Sequence, residues 1–308
     1  MEKAEIRFRA LGTDIFLIII FETKEECQRA REDLRTAKEI YFEKEKIFSR
    51  FNSNSELSRL NSQLGKSYIV SPDLKKVAEN SLEYYQISQG LYDPRIISIL
   101  ETIGYSKSFK KNNFGTDKSI INSQEFVKTL AEDLIINNNR VTFKKRMDFS
   151  GLVKGYVTDL AAEHFKNKGW ENFLIDSGGD IFASGLNENK EKWLVDLEGF
   201  SQNKLLIMIS DEAVATSGIT RRKWSQGEKK FHHLINPKNP EKFNFDIKSV
   251  TVISKTAEEA DIWAKVLFLM GRERGLKFSN SQKIKSLLLD YRGKLLISKK
   301  IKENLVYL

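Results

Sequence analysis

The chain has 308 residues, 40% hydrophobic and 30% charged, enough to bury a full core as one large or two ordinary domains. An excess of 51 Lys+Arg over 42 Asp+Glu gives a net charge of +9, but the basic residues are scattered and no aromatic-interleaved basic stripe stands out, so nucleic acid ranks last as a partner and an anionic small molecule fits better. The single cysteine, Cys27, excludes an internal disulfide and a thiolate metal cluster, and the apolar run Ile15 to Phe21 is far too short to span a bilayer.

The opening, MEKAEIRFRALGTD, lacks the apolar stretch and small-residue cleavage site of a signal peptide. The expected compartment is therefore the cytoplasm, or the periplasm or a membrane anchor if a leader precedes Met1. Residues 5–21 read as a strand, a break at Leu11-Gly12-Thr13, and a buried strand over Ile15–Phe21. From Lys24 to about Phe48 the spacing of Ala30, Leu34, Ala37, Ile40, Tyr41 and Ile47 predicts a helix. Ser55 is a cap for a short helix up to Asn61. A further helix starts at Ser71 or Asp73, runs through Val77, Leu82 and Ile87, and is closed by Gly90.

Pro94 biases Asp93 to an extended backbone, which would hold its carboxylate away from the chain. Residues 105–122 are polar and irregular and read as a surface insertion. Ile135-Ile136 and Val141-Thr142-Phe143, joined by three asparagines, predict a hairpin.

The stretch Asp148 to Gly185 carries the densest chemistry. Gly151 and Gly155 flank Lys154 just before an amphipathic helix on which Val157, Leu160, Ala161 and Phe165 share a face. A cation beside free backbone N–H groups favours a phosphate or a carboxylate. After the strand Phe173–Ile175, the pair Gly178-Gly179 permits a tight turn or close approach to a ligand. Taken singly, each of these features is better explained as a turn glycine or a solvated lysine; together in one segment they point to an anion-binding site.

Downstream, Trp193–Leu197 and Leu205–Ile209 predict an antiparallel pair, and Ala213–Gly218 a strand with Arg221-Arg222-Lys223 beyond it. His232 and His233 are adjacent, so in a strand they face opposite ways and cannot clamp one metal; one is expected buried and the other exposed. Thr256 and Glu259 form a capping box for the helix 260–270, ended by Gly271. Asp261 lies early in that apolar helix and needs a partner, either a divalent cation or a hydrogen-bonding network. A hairpin, Ser286–Leu289 and Leu295–Ser298, closes the chain. With no repeat, linker or composition break, the expectation is one α+β domain over 1–308 with mostly antiparallel strands and packed helices.

Six segments in this order resemble the ApbE family of flavin transferases: Leu11-Gly12-Thr13, FSRFNSNSELSRLN (Phe48–Asn61), GLYDP (Gly90–Pro94), Asp148–Asp180, Thr216-Ser217-Gly218 with His233–Pro237, and Ser249–Gly271. The resemblance implies an enzyme that splits FAD, passes FMN to a threonine hydroxyl of an acceptor flavoprotein (a membrane redox subunit or similar), releases AMP and requires Mg²⁺. It further implies that Leu11, Phe51, Leu91, Tyr92, Asp93, Asp148, Lys154, Thr216 and Ile235 bind FAD, and that the Gly151 carbonyl and Asp261 bind Mg²⁺. Asp261, His233 and Lys154 would be the catalytic residues. Phe51 stands where the family often has tyrosine, and Leu11 where methionine is usual. Lys265 takes the place of a threonine in the family's A-D-x-x-x-T helix motif, and Asn236 that of an aspartate. Both changes make the metal region less anionic. Two other readings therefore stay open beside transfer: hydrolysis of FAD to FMN and AMP, and FAD binding without reaction.

Overall fold

The computed structural model describes residues 1–105, 126–196, 205–220, 222–226 and 229–307. The predicted insertion at 105–122 lies outside them apart from Tyr105, as do Leu197 and Arg221. Its first elements are the antiparallel strands β1 (Glu2–Ala10) and β2 (Thr13–Phe21). Leu11 and Gly12 form the two-residue turn between them, with φ of 50° and 75°, the left-handed pair that such a hairpin demands.

The central sheet has eight antiparallel strands. Their order is β1, β2, β6 (Asn172–Ser177), β7 (Ile181–Ser184), β10 (Glu212–Gly218), β13 (Ile247–Ser254), β14 (Lys285–Asp290) and β15 (Leu295–Ile297). The near-continuous apolar run of β2 follows from burial on both faces. Ile15, Leu17 and Ile19 face the main core, whereas Ile18 and Ile20 belong to a second cluster on the opposite side. The main core is closed by α1 (Glu26–Phe48), α6 (Ser150–Asn167) and α7 (Ala257–Met270). The other side is covered by a small sheet of β8 (Trp193–Asp196), β9 (Leu205–Ile209) and β16 (Leu305–Tyr307).

Shorter elements complete the frame: α2 (Glu56–Asn61), α3 (Pro72–Ile87), α4 (Ile97–Thr102) and α5 (Leu130–Asp133), with β3 (Ser67–Ile69), β4 (Leu134–Asn137) and β5 (Arg140–Phe143) in a separate sheet. β11 (Lys223–Gln226) and β12 (Lys229–His232) make a two-stranded ribbon, and α8 (Arg272–Ser281) follows Gly271. The serine caps form as expected: Ser55 accepts from Ser58 N–H and Ser71 from Leu74 N–H. The expected capping box at Thr256 is only half made. Thr256 accepts from Glu259 N–H, but the Glu259 carboxylate turns to the Ser254 hydroxyl instead. Among the described residues, no helix is long and apolar enough to cross a membrane.

The helical expectation around Lys154 needs a correction. α6 begins at Ser150, so Gly151, Lys154 and Gly155 lie inside its first turns rather than ahead of it. Gly155 is there for a different reason from ligand approach. A Cβ at this position would sit 2.5 Å from Glu258 Cα and 2.6 Å from the Ala257 carbonyl oxygen, so α6 and α7 meet backbone to backbone. One turn further along α6, Asp159 accepts from Ala257 N–H (2.7 Å) and Glu258 N–H (2.9 Å), giving α7 its N-terminal cap from a neighbouring helix.

Candidate active site

Four ionic side chains gather where α6, α7 and the β6–β7 turn meet. Lys154 on α6 pairs with Asp180, and Lys265 on α7 pairs with Asp261 one turn earlier. Asp180 and Asp261 are almost wholly buried, at 2% and 3% exposure, while each lysine keeps about one-fifth of its side chain open, 21% and 19%. Asp180 reaches this position because Gly178 and Gly179 take φ of 66° and 99°, and because Gly178 abuts the Thr13 side chain with no room for a Cβ. A hydroxyl chain braces the turn: Tyr41 meets Ser177 Oγ at 2.7 Å, Ser177 meets Thr158 Oγ1 at 2.6 Å, and Thr158 donates to the Lys154 carbonyl.

Burial and charge act differently on the two lysines. Burial pushes the Lys154 ammonium down, but Asp180 and Asp261 outweigh it and hold the group above its ordinary value. At Lys265 burial wins over the same two carboxylates, so its pKa is lowered. Asp180 is raised by burial and by the negative Asp261 beside it. His233 stands close to Arg222 and Lys265. Burial first, then the Arg222 charge, keeps it well below its usual value and hence neutral, with Nδ1 buried and unpartnered. His232 is the fully buried member of the pair, donating from Nε2 to the Asn244 carbonyl oxygen at 3.1 Å and ringed edge-on by Phe243, Phe245 and Phe268.

Asp261 Oδ1 is engaged by Lys265, but Oδ2 is buried with no partner. A bare buried carboxylate oxygen costs about 1–3 kcal/mol or more, which a cation would recover. Gly151 lies in the same corner, within reach of the Lys265 side chain, and its carbonyl keeps a lone pair beyond the helical bond. Among the described residues no group of three or more His, Cys, Asp or Glu side chains could cage a metal. The donors therefore fit a hard cation completed by a ligand's own oxygens, as is usual for Mg²⁺.

Tyr92 is buried against this corner: a Cβ on Gly151 would lie 3.8 Å from its ring. Leu91 is buried in the main core and Leu11 sits at the β1–β2 turn. Phe51 is 53% exposed and stacked under the Arg50 guanidinium at 4.4 Å, on a cleft of about 250 Å³ lined also by Ile97, Glu101 and Arg146. Arg50 ties this cleft to α6 by pairing with Asp148 at 3.2 Å, and the other oxygen of Asp148 caps Ser150 N–H. The anion at this helix start is thus the chain's own carboxylate, which corrects the expectation of an open N-terminus.

Asp93 also departs from expectation. It is turned inward, and Arg95 donates to both of its oxygens through Nε and a terminal nitrogen at 2.6–3.2 Å, while also pairing with Asp133 at 2.6 Å. Ile235 packs in a third apolar cluster with Ile99 and Trp224. Thr216 is exposed and hydrogen-bonds Thr251 at 2.9 Å. It shares a face with Val214 and Ile253 of the second cluster, so its side chain points away from α7. Lys154, Gly151, Tyr92, Asp261 and His233 are brought together, and Leu11 lies on the turn whose Thr13 packs against Gly178; Phe51 lines its own cleft, Ile235 belongs to the third cluster and Thr216 to the opposite face of the sheet. Asp180, Arg50 and Arg95 were not among the expected site residues. Of these only Asp180 carried a local signal, as the first polar residue after a glycine pair.

A second pair of carboxylates lies behind the α6–α7 contact. Burial pushes Glu258 up to about 7, with hydrogen bonds from Asn80 and Tyr84 working against it and Asp159 adding to it. Native Glu258 thus holds its proton more tightly than the unfolded chain, so its ionisation erodes stability as pH rises from about 4.5 to about 7. Glu258→Gln is expected to flatten that part of the curve: thermal unfolding at pH 5 and at pH 8 should differ less in the variant than in the parent. Equal differences would remove Glu258 as the titrating group.

An antiparallel sheet with two half-buried lysines and two buried aspartates drawn together at one helix pair defines an α+β protein equipped for a charged ligand. The chain belongs to the ApbE family, whose model matches residues 11–288. Among curated relatives it is 27% identical over 249 residues to a FAD:protein FMN transferase of Vibrio cholerae, covering 78% of this chain and 74% of the relative. It is 24% identical over 278 residues to one of Haemophilus influenzae, covering 87% and 78%. In fold it is similar to the apbe protein from Thermotoga maritima, with a TM-score of 0.86 over 98% of this chain and 99% of that one at 21% identity.

Proposed function

We propose that this protein is a Mg²⁺-dependent FAD:protein FMN transferase that attaches FMN to a threonine hydroxyl of an acceptor flavoprotein and releases AMP. In this reaction the hydroxyl oxygen attacks the FMN-side phosphorus of FAD. The bond from that phosphorus to the bridging oxygen breaks, AMP leaves with that oxygen, and the hydroxyl proton passes to a base. The observation that carries the reading is the bare Oδ2 of Asp261 within an array of two lysines and two aspartates. The curated relatives' names supply the reaction class.

Phosphoryl transfer is mostly positioning and charge neutralisation. Lys154 and Lys265 present ammonium groups to a diphosphate, and Asp180 keeps Lys154 charged. Asp261 and the Gly151 carbonyl would hold Mg²⁺, which when bound neutralises phosphate charge and orients the leaving group. His233, neutral and with Nδ1 unpartnered, can take the hydroxyl proton. Phe51 offers a ring for flavin or adenine. Asp148 acts on the nucleotide through Arg50, and Asp93 through the loop that Arg95 anchors, with Leu91 and Tyr92 on that loop. Leu11 and Ile235 would flank the isoalloxazine or the acceptor, whereas the Thr216 side chain lies on the opposite face of the sheet.

The test is one incubation of the protein with FAD, Mg²⁺ and a threonine-bearing acceptor, following AMP and the flavin fluorescence of the acceptor on a denaturing gel. Equal AMP and labelled acceptor are expected. AMP without label means hydrolysis, and bound FAD without AMP means a binding protein; either result overturns the proposal.

A further inference from the structure

Resting on the transferase reading, we infer that Lys265 is a tethered cation of the site: its ammonium lies between Asp261 and a diphosphate oxygen, and the site loads a single divalent ion, on Asp261 Oδ2. The lysine stands one turn after Asp261 on α7 and engages its Oδ1, with the Asp261 carbonyl a further acceptor at 3.3 Å. An ammonium has three donors, so at least one is left for a ligand. With its side chain 19% exposed over a carboxylate that is 3% exposed, the free donor is on the open side.

Gly151 supports the assignment independently. Its φ is not in the left-handed region, so the helix does not demand glycine there. A Cβ would lie 3.3 Å from Lys265 Cε and 3.6 Å from Cδ, along the path of the lysine. The small residue thus clears the channel through which Lys265 reaches Asp261.

The count of free oxygens limits the metal. Lys265 takes one oxygen of Asp261, Lys154 takes one of Asp180, and the buried oxygen left without a partner at this corner is Asp261 Oδ2. A second divalent ion would find no other buried, unpartnered carboxylate oxygen among the described residues of this corner and would face two ammonium charges. The two lysines supply the charge it would have brought, in a form that does not dissociate.

The test uses the full chain. In EDTA, FAD is titrated against the protein and flavin fluorescence is followed. Lys265→Met is expected to weaken metal-free FAD binding about tenfold, the loss of one charge-assisted contact, while Lys265→Arg stays within about threefold. With FAD saturating, Mn²⁺ is titrated and the free ion is read by electron paramagnetic resonance. One Mn²⁺ per chain is expected for the parent, and tighter Mn²⁺ binding for Lys265→Met, in which both Asp261 oxygens are free. Unchanged FAD affinity in Lys265→Met, or two Mn²⁺ in the parent, overturns the inference. AMP is measured in the same samples. A parent that binds FAD and one Mn²⁺ but never forms AMP sinks the transferase reading and leaves the tethered cation standing; a parent that binds no FAD ends both.

Discussion

Asp261→Asn is expected to reduce AMP release from FAD by about a thousandfold while leaving the fold intact. The substitution keeps the shape of the side chain and removes its charge. Two consequences follow from the geometry. The buried Oδ2 loses the anionic character that suits it to a divalent ion. The Lys265 ammonium loses its counter-ion, and in a buried setting an uncompensated ammonium tends to shed its proton. Affinity for a divalent ion and the charge of Lys265 are therefore expected to fall together. Circular dichroism and thermal unfolding would establish that the variant folds; an AMP rate within tenfold of the parent would take Asp261 out of the reaction.

The largest effect on stability is expected at a residue with no contact to that corner. Arg95 is wholly buried and binds Asp93, Asp133 and the carbonyls of Lys128 and Thr129. Arg95→Met would leave two buried carboxylates facing each other without a cation. Breaking a buried pair in this way costs about 3–5 kcal/mol, which in a chain of this size lowers the melting temperature by about 10 °C. Such a loss, read by calorimetry, would mark Asp93 as part of an internal clamp that sets the loop Leu91–Pro94. A melting point unchanged within about 2 °C would show that the pairing contributes little.

Local patterns in the chain carried most of the architecture. Ser55 and Ser71 announced their helices because a cap is written within four residues, and the hairpins at Leu11-Gly12 and Asn138 because turn chemistry is equally short-range. The glycines of α6 misled for the opposite reason. Gly155 is explained by Glu258, about a hundred residues away, and no local pattern distinguishes a glycine that admits a ligand from one that admits a helix. The same holds for charges. Asp93 beside Pro94 looked projected outward, but Arg95 and Asp133 hold it inside. Asp261 was legible as needing a partner; that the partner is Lys265, with one oxygen left over, required the rotamers.

The cap that Asp159 gives to α7 joins residues separated by 98 and 99 positions. Before Ala257 leaves the ribosome, α6 has no partner for its glycine face and Lys154 has no Asp261 beside it. The ionic corner therefore assembles only once α7 has been made, after α6 and the strands β6 and β7 have left the ribosome. A nascent chain halted before α7 would carry every residue of the Asp148–Gly185 stretch and still lack Asp261 and Lys265, so two of the four charges of this corner arrive with a single helix.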